Sequence, residues 1–166
     1  MNLAENLSRS AAAGPDAPAV KLDDAVLTYA ALDEASARVA GVLAARGVGE
    51  GDRVGIMLPN VPYFPIVYYG ILRRGAVAVP MNVLLKGRET AFYLTDPGAK
   101  VVFAWADFAE HARSGAAAAG ASSAGADSAE VEVSAAGFAG AATGAATGAA
   151  VEAATGAGAA ALACSA

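Results

Sequence analysis

Asp52-Arg53-Val54-Gly55-Ile56-Met57-Leu58-Pro59-Asn60, then Val61-Pro62-Tyr63-Phe64-Pro65-Ile66-Val67-Tyr68-Tyr69-Gly70-Ile71-Leu72-Arg73-Arg74-Gly75, then Ala76-Val77-Ala78-Val79-Pro80-Met81-Asn82, is the stretch that decides the fold. The two outer runs have strand length and are bounded by proline and glycine. The middle run has helix length, with Tyr63, Phe64, Val67, Tyr68, Ile71 and Leu72 on one wide apolar face. A strand, helix, strand order of this size implies two parallel strands joined by a crossover helix, and so an α/β fold. Asn60 suits the helix N-cap, Pro62 and Pro65 its first turn, and Arg73-Arg74-Gly75 its C-terminal end. Gly70 is expected to let the helix approach the sheet closely. We read the aromatic cluster as core rather than as a pocket lining, and the arginine pair as solvated complement to the helix dipole rather than as a phosphate contact.

Upstream, residues 2–13 suit a short helix, and Ala19–Leu22 with Ala25–Thr28 suit a hairpin turning at Asp23-Asp24. Thr28 is placed to cap a helix over 29–46, in which Leu32, Ala35, Val39, Val42 and Leu43 recur at three- and four-residue spacing and Gly47 supplies the stop. The glycine-spaced run Gly47-Val48-Gly49-Glu50-Gly51-Asp52 leaves a helix and enters a strand. Phosphate-binding loops do the reverse, so this run is a helix stop and a turn. Downstream, a helix over 86–95 is expected to turn Ala91 and Leu94 inward with Phe92 or Tyr93 at its edge. It stops at Asp96-Pro97-Gly98 and leads to a third parallel strand over 100–104 and a helix from Trp105 onward.

Charge and composition remove several function classes. The chain has 166 residues and a net charge of −5; all 11 basic residues lie at or before Arg113, as do twelve of the 16 acids, leaving no basic face for nucleic acid. One cysteine, Cys164, and one histidine, His111, exclude a disulfide framework and a cysteine- or histidine-rich metal site. The 56% hydrophobic content comes largely from alanine, and the most apolar run is too short for a transmembrane segment. The N-terminus lacks the pattern of a secretory signal, so a cytoplasmic location is expected. After Ser114 nearly half the positions are alanine, with recurrent glycine and threonine and few large apolar side chains. We expect a division at 113/114, with residues 114–166 disordered or weakly structured apart from a short strand near 130–133.

Five segments, in order and spacing, resemble the beginning of the adenylate-forming (AMP-dependent) ligases, with the flavour of the fatty acyl-CoA synthetases. They are Leu27-Thr28-Tyr29-Ala30-Ala31-Leu32, Gly47 to Val54, Leu58-Pro59-Asn60, Gly70 to Asn82, and Leu94 to Phe103. The resemblance implies part of the family's N-terminal subdomain over residues 1–113. It also implies a complete protein that uses ATP, magnesium and coenzyme A to turn a fatty acid into an acyl-adenylate and then a thioester. The family's Ser/Thr/Gly-rich loop ending in Lys-Gly and its later catalytic segments are not matched here. The chain is therefore expected to be an inactive N-terminal fragment that binds none of these cofactors tightly, from a truncated or frame-shifted reading.

No catalytic, cofactor-binding or metal residue is assigned. Pro59, Asn60, Pro80, Met81 and Asn82 follow strand C-termini, the side on which α/β folds bind ligands, and are the candidates for facing a substrate cleft. Two non-catalytic readings stand beside the ligase: an α/β module holding a nucleotide or an acyl group, and an interaction protein that self-associates through exposed apolar surface.

Overall fold

The computed structural model describes residues 2–119 together with 151–156 and 159–164. The element order is α1 (Ala4–Ala13), β1 (Pro18–Leu22), β2 (Ala25–Thr28), α2 (Tyr29–Ala45), β3 (Arg53–Met57), α3 (Tyr63–Arg73), β4 (Val77–Pro80), α4 (Gly87–Thr95), β5 (Ala99–Trp105), a short 3-10 turn (Ala106–Phe108), α5 (Ala109–Ala118), β6 (Val151–Gly156) and β7 (Ala159–Cys164). β1 and β2 form the expected antiparallel hairpin, with Asp23 at φ 51° in its turn. The remaining strands make one sheet in the order β4-β3-β5-β7-β6, parallel except for the β6/β7 pair.

Alternation along β3 sorts its side chains between two cores. Val54 and Ile56 face α1, the hairpin, α2 and α3, where Leu32, Val39, Leu43, Val67 and Ile71 are buried. Met57 faces α4 and α5, among Leu94, Val102, Ala104 and Ala112. β5 carries an irregularity between its first two pairings, Arg53 with Ala99 and Val54 with Val101, so that the strand changes phase at Lys100. Ala99 therefore belongs to the second core while Val101 and Phe103 belong to the first.

Local chemistry sets the helix ends. The Thr28 hydroxyl accepts from the Ala31 amide at 3.3 Å, and Gly47 at φ 69° ends α2, both as the sequence indicates. Asn60 does not cap α3. The residue before the helix is Pro62, with no side-chain cap, and Asn60 sits exposed in the preceding turn. α4 opens with the Glu89 carboxylate accepting from the Lys86 amide at 2.9 Å. Its buried residues are Thr90 and Leu94, whereas Phe92 and Tyr93 are 65% and 44% exposed and form an edge-on pair rather than packing into the core.

Gly70 serves a different contact from the expected one. An added Cβ would stand 2.5 Å from Val39 Cγ1 and 3.0 Å from the Ser36 carbonyl, so the glycine permits α3 to approach α2, not the sheet. Gly115 plays the same part between α5 and Thr90 of α4.

The described elements extend past the expected 113/114 division. The 113/114 boundary falls inside α5, which continues to Ala118, and residues 151–156 and 159–164 are strands. β7 pairs in parallel with β5 from Val101↔Ala160 to Trp105↔Cys164. A ladder is held by backbone amides and carbonyls, which alanine supplies as fully as valine, so side-chain area alone undervalued this segment. The strand expected near 130–133 lies outside the described residues.

Candidate ligand crevice at the carboxyl edge of the sheet

The connections leaving β3 and β5 diverge. α3, which follows β3, covers the face bearing the first core; α5, which follows β5, covers the other. β3 and β5 are neighbours, with Ile56 beside Phe103 and Met57 beside Ala104, so the topology sets a crevice position between their carboxyl ends. This is the switch point at which open α/β sheets bind ligands. Leu58-Pro59-Asn60 leaves one side of it and Trp105-Ala106-Asp107 the other.

Of the residues singled out from sequence, Pro59 is half-buried and Asn60 exposed, both at this crevice. Pro80 and Asn82 are exposed but lie across β3, at the end of the edge strand β4, where the Asn82 Oδ1 accepts from the Leu84 amide at 2.9 Å. Met81 is 7% exposed within the second core, and its amide donates to the Ile56 carbonyl at 2.8 Å. Its side chain is a core element. The five candidates thus separate into a pair at the crevice, an exposed pair on the sheet edge, and one packing residue.

Sequence reading did not pair the two rings that meet at this edge. Tyr63, the first residue of α3, and Trp105, the last of β5, have ring centroids 6.0 Å apart at an interplanar angle of 55°. The available signal was a tryptophan closing a strand; taking Trp105 as the start of a helix concealed it. Tyr63, Phe64, Tyr68 and Tyr69 all pack against the first core, in keeping with the core reading, and Trp105 packs there with them.

The electrostatics of this edge disfavour phosphate. Segments 58–63 and 105–110 contain no lysine or arginine and two acids, Asp107 and Glu110. The first turn of α3 is a poor anion site: the Phe64 amide is already donated to the Val61 carbonyl at 2.9 Å, and Pro65 has no amide. Among the described residues there is no group of three His, Cys, Asp or Glu side chains able to hold a metal ion. These residues do not fit the triphosphate and magnesium of a nucleotide.

The arginine pair is committed elsewhere. Arg73 donates to Ser36 Oγ at 2.9 Å and to Ser8 Oγ at 3.2 Å and pairs with Asp33, joining α3 to α2 and α1. Arg74 donates from Nε and Nη2 to the Val48 carbonyl at 3.1 and 2.9 Å. Both are structural clasps rather than solvated dipole complements. At the amino edge, Arg53 braces the carbonyls of Pro97 and Gly98. Asp52 accepts from Lys100 Nζ and from the Gly49 amide, both at 2.8 Å, and the lysine first and the amide second hold its carboxyl below the usual range.

Residues 7–159 match the model of the AMP-binding enzyme family. The chain is 44% identical over 79 residues to a long-chain-fatty-acid–CoA ligase of Mycobacterium tuberculosis, covering 48% of this chain and 16% of that protein. It is 35% identical over 109 residues to a long-chain-fatty-acid–CoA ligase of Escherichia coli, covering 65% and 19%. Its fold matches a Mycobacterium tuberculosis fatty acyl CoA synthetase at TM-score 0.60 and 36% identity over 66% of this chain and 22% of the other. It matches an anthranilate CoA ligase in complex with anthranoyl-AMP at TM-score 0.68 and 25% identity, over 72% and 23%. The chain thus spans only 16–19% of the length of these curated relatives. With the parallel sheet, its two helical layers and the matched residues, the chain belongs to the AMP-binding enzyme family and has the N-terminal fold of the adenylate-forming ligases.

Proposed function

We propose that these residues are the N-terminal scaffold of an AMP-forming fatty acyl-CoA ligase, acting in the cytoplasm. The complete enzyme activates a fatty acid with ATP and magnesium and transfers the acyl group to coenzyme A. The observation that carries the reading is the family match over 7–159, joined to a fold that superimposes on acyl-CoA synthetases.

The 166 residues alone are inactive on this reading. Charge developing on a transferring phosphate must be met by positioned cations and amides. The segments leaving β3 and β5 supply no lysine or arginine, and Arg73 and Arg74 are held in structural contacts. Fatty-acid-dependent exchange of pyrophosphate into ATP by the purified chain tests this. No exchange above the no-acid blank is expected, and substrate-dependent exchange would overturn the inactivity.

A further inference from the structure

We propose that the outer face of α4 pairs antiparallel with the same face of a second copy of this chain. α4 turns Thr90 and Leu94 inward and packs closely on α5, where added Cβ atoms at Gly87 and Gly115 would stand 2.6 Å from Ser114 Oγ and Thr90 Cβ respectively. Its other face presents Arg88, Glu89, Phe92, Thr95 and Asp96, all exposed. Phe92 is 65% exposed and stands edge-on to Tyr93, with ring centroids 6.0 Å apart. Covering such a ring removes apolar area from water, and a ring carried on a packed helix loses little freedom when it is covered.

Charge order identifies the partner. Arg88, Phe92 and Asp96 follow one another at four-residue spacing, and Asp96 keeps helical backbone angles at φ −57° and ψ −50°, so the three form one stripe. Arg88 and Asp96 stand about 6 Å to either side of the ring along the helix axis, too far apart to pair with each other. Neither side chain has a partner among the described residues. Glu89 is turned back onto the Lys86 amide at 2.9 Å. An antiparallel twofold pair centred on Phe92 sets ring against ring and Arg88 of each copy opposite Asp96 of the other, whereas a parallel pair would set like charges together. The face thus complements itself. It is small: rings of about 150–250 Å² apiece leave it well under the roughly 800 Å² per partner of a standard interface, so the pair forms only at high concentration.

Sedimentation equilibrium of the full 166-residue chain between about 10 μM and about 1 mM reads the association. The weight-average mass is expected to rise from one chain toward two, with a midpoint that moves to higher concentration in high salt as the paired charges are screened. Phe92→Ala raises that midpoint roughly tenfold, whereas Val77→Thr, at a 49% exposed position on the edge strand β4, leaves it unchanged. Arg88→Asp and Asp96→Arg each set like charges across the pair and raise it roughly tenfold. Both changes suit the helix dipole, so both chains keep the fold, which far-ultraviolet circular dichroism checks. Mixed in equal amounts, these two variants pair with each other, because every contact between them is again between opposite charges.

The proposal is overturned if the unaltered chain stays monomeric throughout, if its mass climbs past two chains, if Val77→Thr weakens association as much as Phe92→Ala, or if the mixture associates no more than its components. The mass of the unaltered chain does not depend on any variant folding. It reads association without catalysis, so its outcome is separate from that of the pyrophosphate-exchange assay.

Discussion

Arg73 on the last turn of α3 pairs with Asp33 on α2, and the same guanidinium donates to Ser36 on α2 and Ser8 on α1. Ser8 Oγ in turn donates to Asp33 Oδ1 at 3.1 Å, closing a small polar network over the junction of three helices. The two charged side chains are 22% and 31% exposed, so water screens the pair only in part.

Arg73→Lys should not preserve this junction, because one ammonium cannot reproduce the directions of a guanidinium fork. Charge-assisted hydrogen bonds are worth about 1.5–3 kcal/mol, and partial exposure reduces this to about 1–2 kcal/mol for both Arg73→Lys and Arg73→Met. Urea unfolding of the two variants checks it. A lysine variant as stable as the parent would show that charge alone, and not the fork, holds the helices.

Gly70→Ala tests the α2/α3 approach. Alanine is favoured over glycine in a helix by about 1 kcal/mol, but its Cβ would meet Val39 at 2.5–2.6 Å, and overpacking costs about 1–3 kcal/mol. The clash should outweigh the propensity, giving a net loss of up to about 2 kcal/mol. Val39→Ala combined with Gly70→Ala should lose less than the sum of the single changes. Additive losses in urea midpoints would mean the two positions do not touch.

Asp52 gives the fold a defined acid response. Its carboxyl is depressed by Lys100 first and by the Gly49 amide second, so the stabilisation is present above the unfolded carboxylate range near 3.9 and is lost as pH falls through the lower folded value. Lys100→Met removes the leading cause. The parent should exceed the variant in stability at neutral pH, with the gap narrowing as pH falls below about 4. Unfolding midpoints across that range check the sign, and a gap that widens in acid would refute the assignment.

The strand–helix–strand unit was legible because its periods differ: Val54 and Ile56 alternate while Val67 and Ile71 recur at four residues, and both patterns end in the first core. The hairpin, the Thr28 cap and the Gly47 stop were legible for the same local reason. Other features depended on tertiary context. The partner of Gly70 is set by how α3 crosses α2, and the work of Arg73 and Arg74 by carbonyls and carboxylates distant in sequence. β7 was missed because its backbone pairing with β5 leaves no trace in an alanine-rich composition. Residues following strand ends were drawn toward the carboxyl edge of the sheet, but which of them lie between β3 and β5 depends on the strand order β4-β3-β5, which no local pattern encodes.

Thr90 is fully buried in α4 beneath Gly115, and its hydroxyl has no hydrogen-bond partner among the described residues. An unpaired buried hydroxyl costs about 1–3 kcal/mol in mutational series. Thr90→Val keeps the branched shape and removes the polar atom, so it should stabilise the fold by about 1 kcal/mol, read as a higher urea midpoint. A loss of stability would mean that the hydroxyl is satisfied in solution.

Met81 and Asn82 are adjacent and should respond oppositely. Met81 is 7% exposed, and its Cε lies 3.1 Å from where a Cβ on Gly55 would stand, so truncation opens a cavity beside β3. Met81→Ala should cost about 2–5 kcal/mol, the range for buried Leu, Ile or Met truncations. Asn82 is exposed and its Oδ1 accepts one hydrogen bond from the Leu84 amide, so Asn82→Ala should cost about 0.5–1 kcal/mol. Urea midpoints of the two variants check the contrast, and a Met81→Ala chain as stable as the parent would overturn the packing role of Met81.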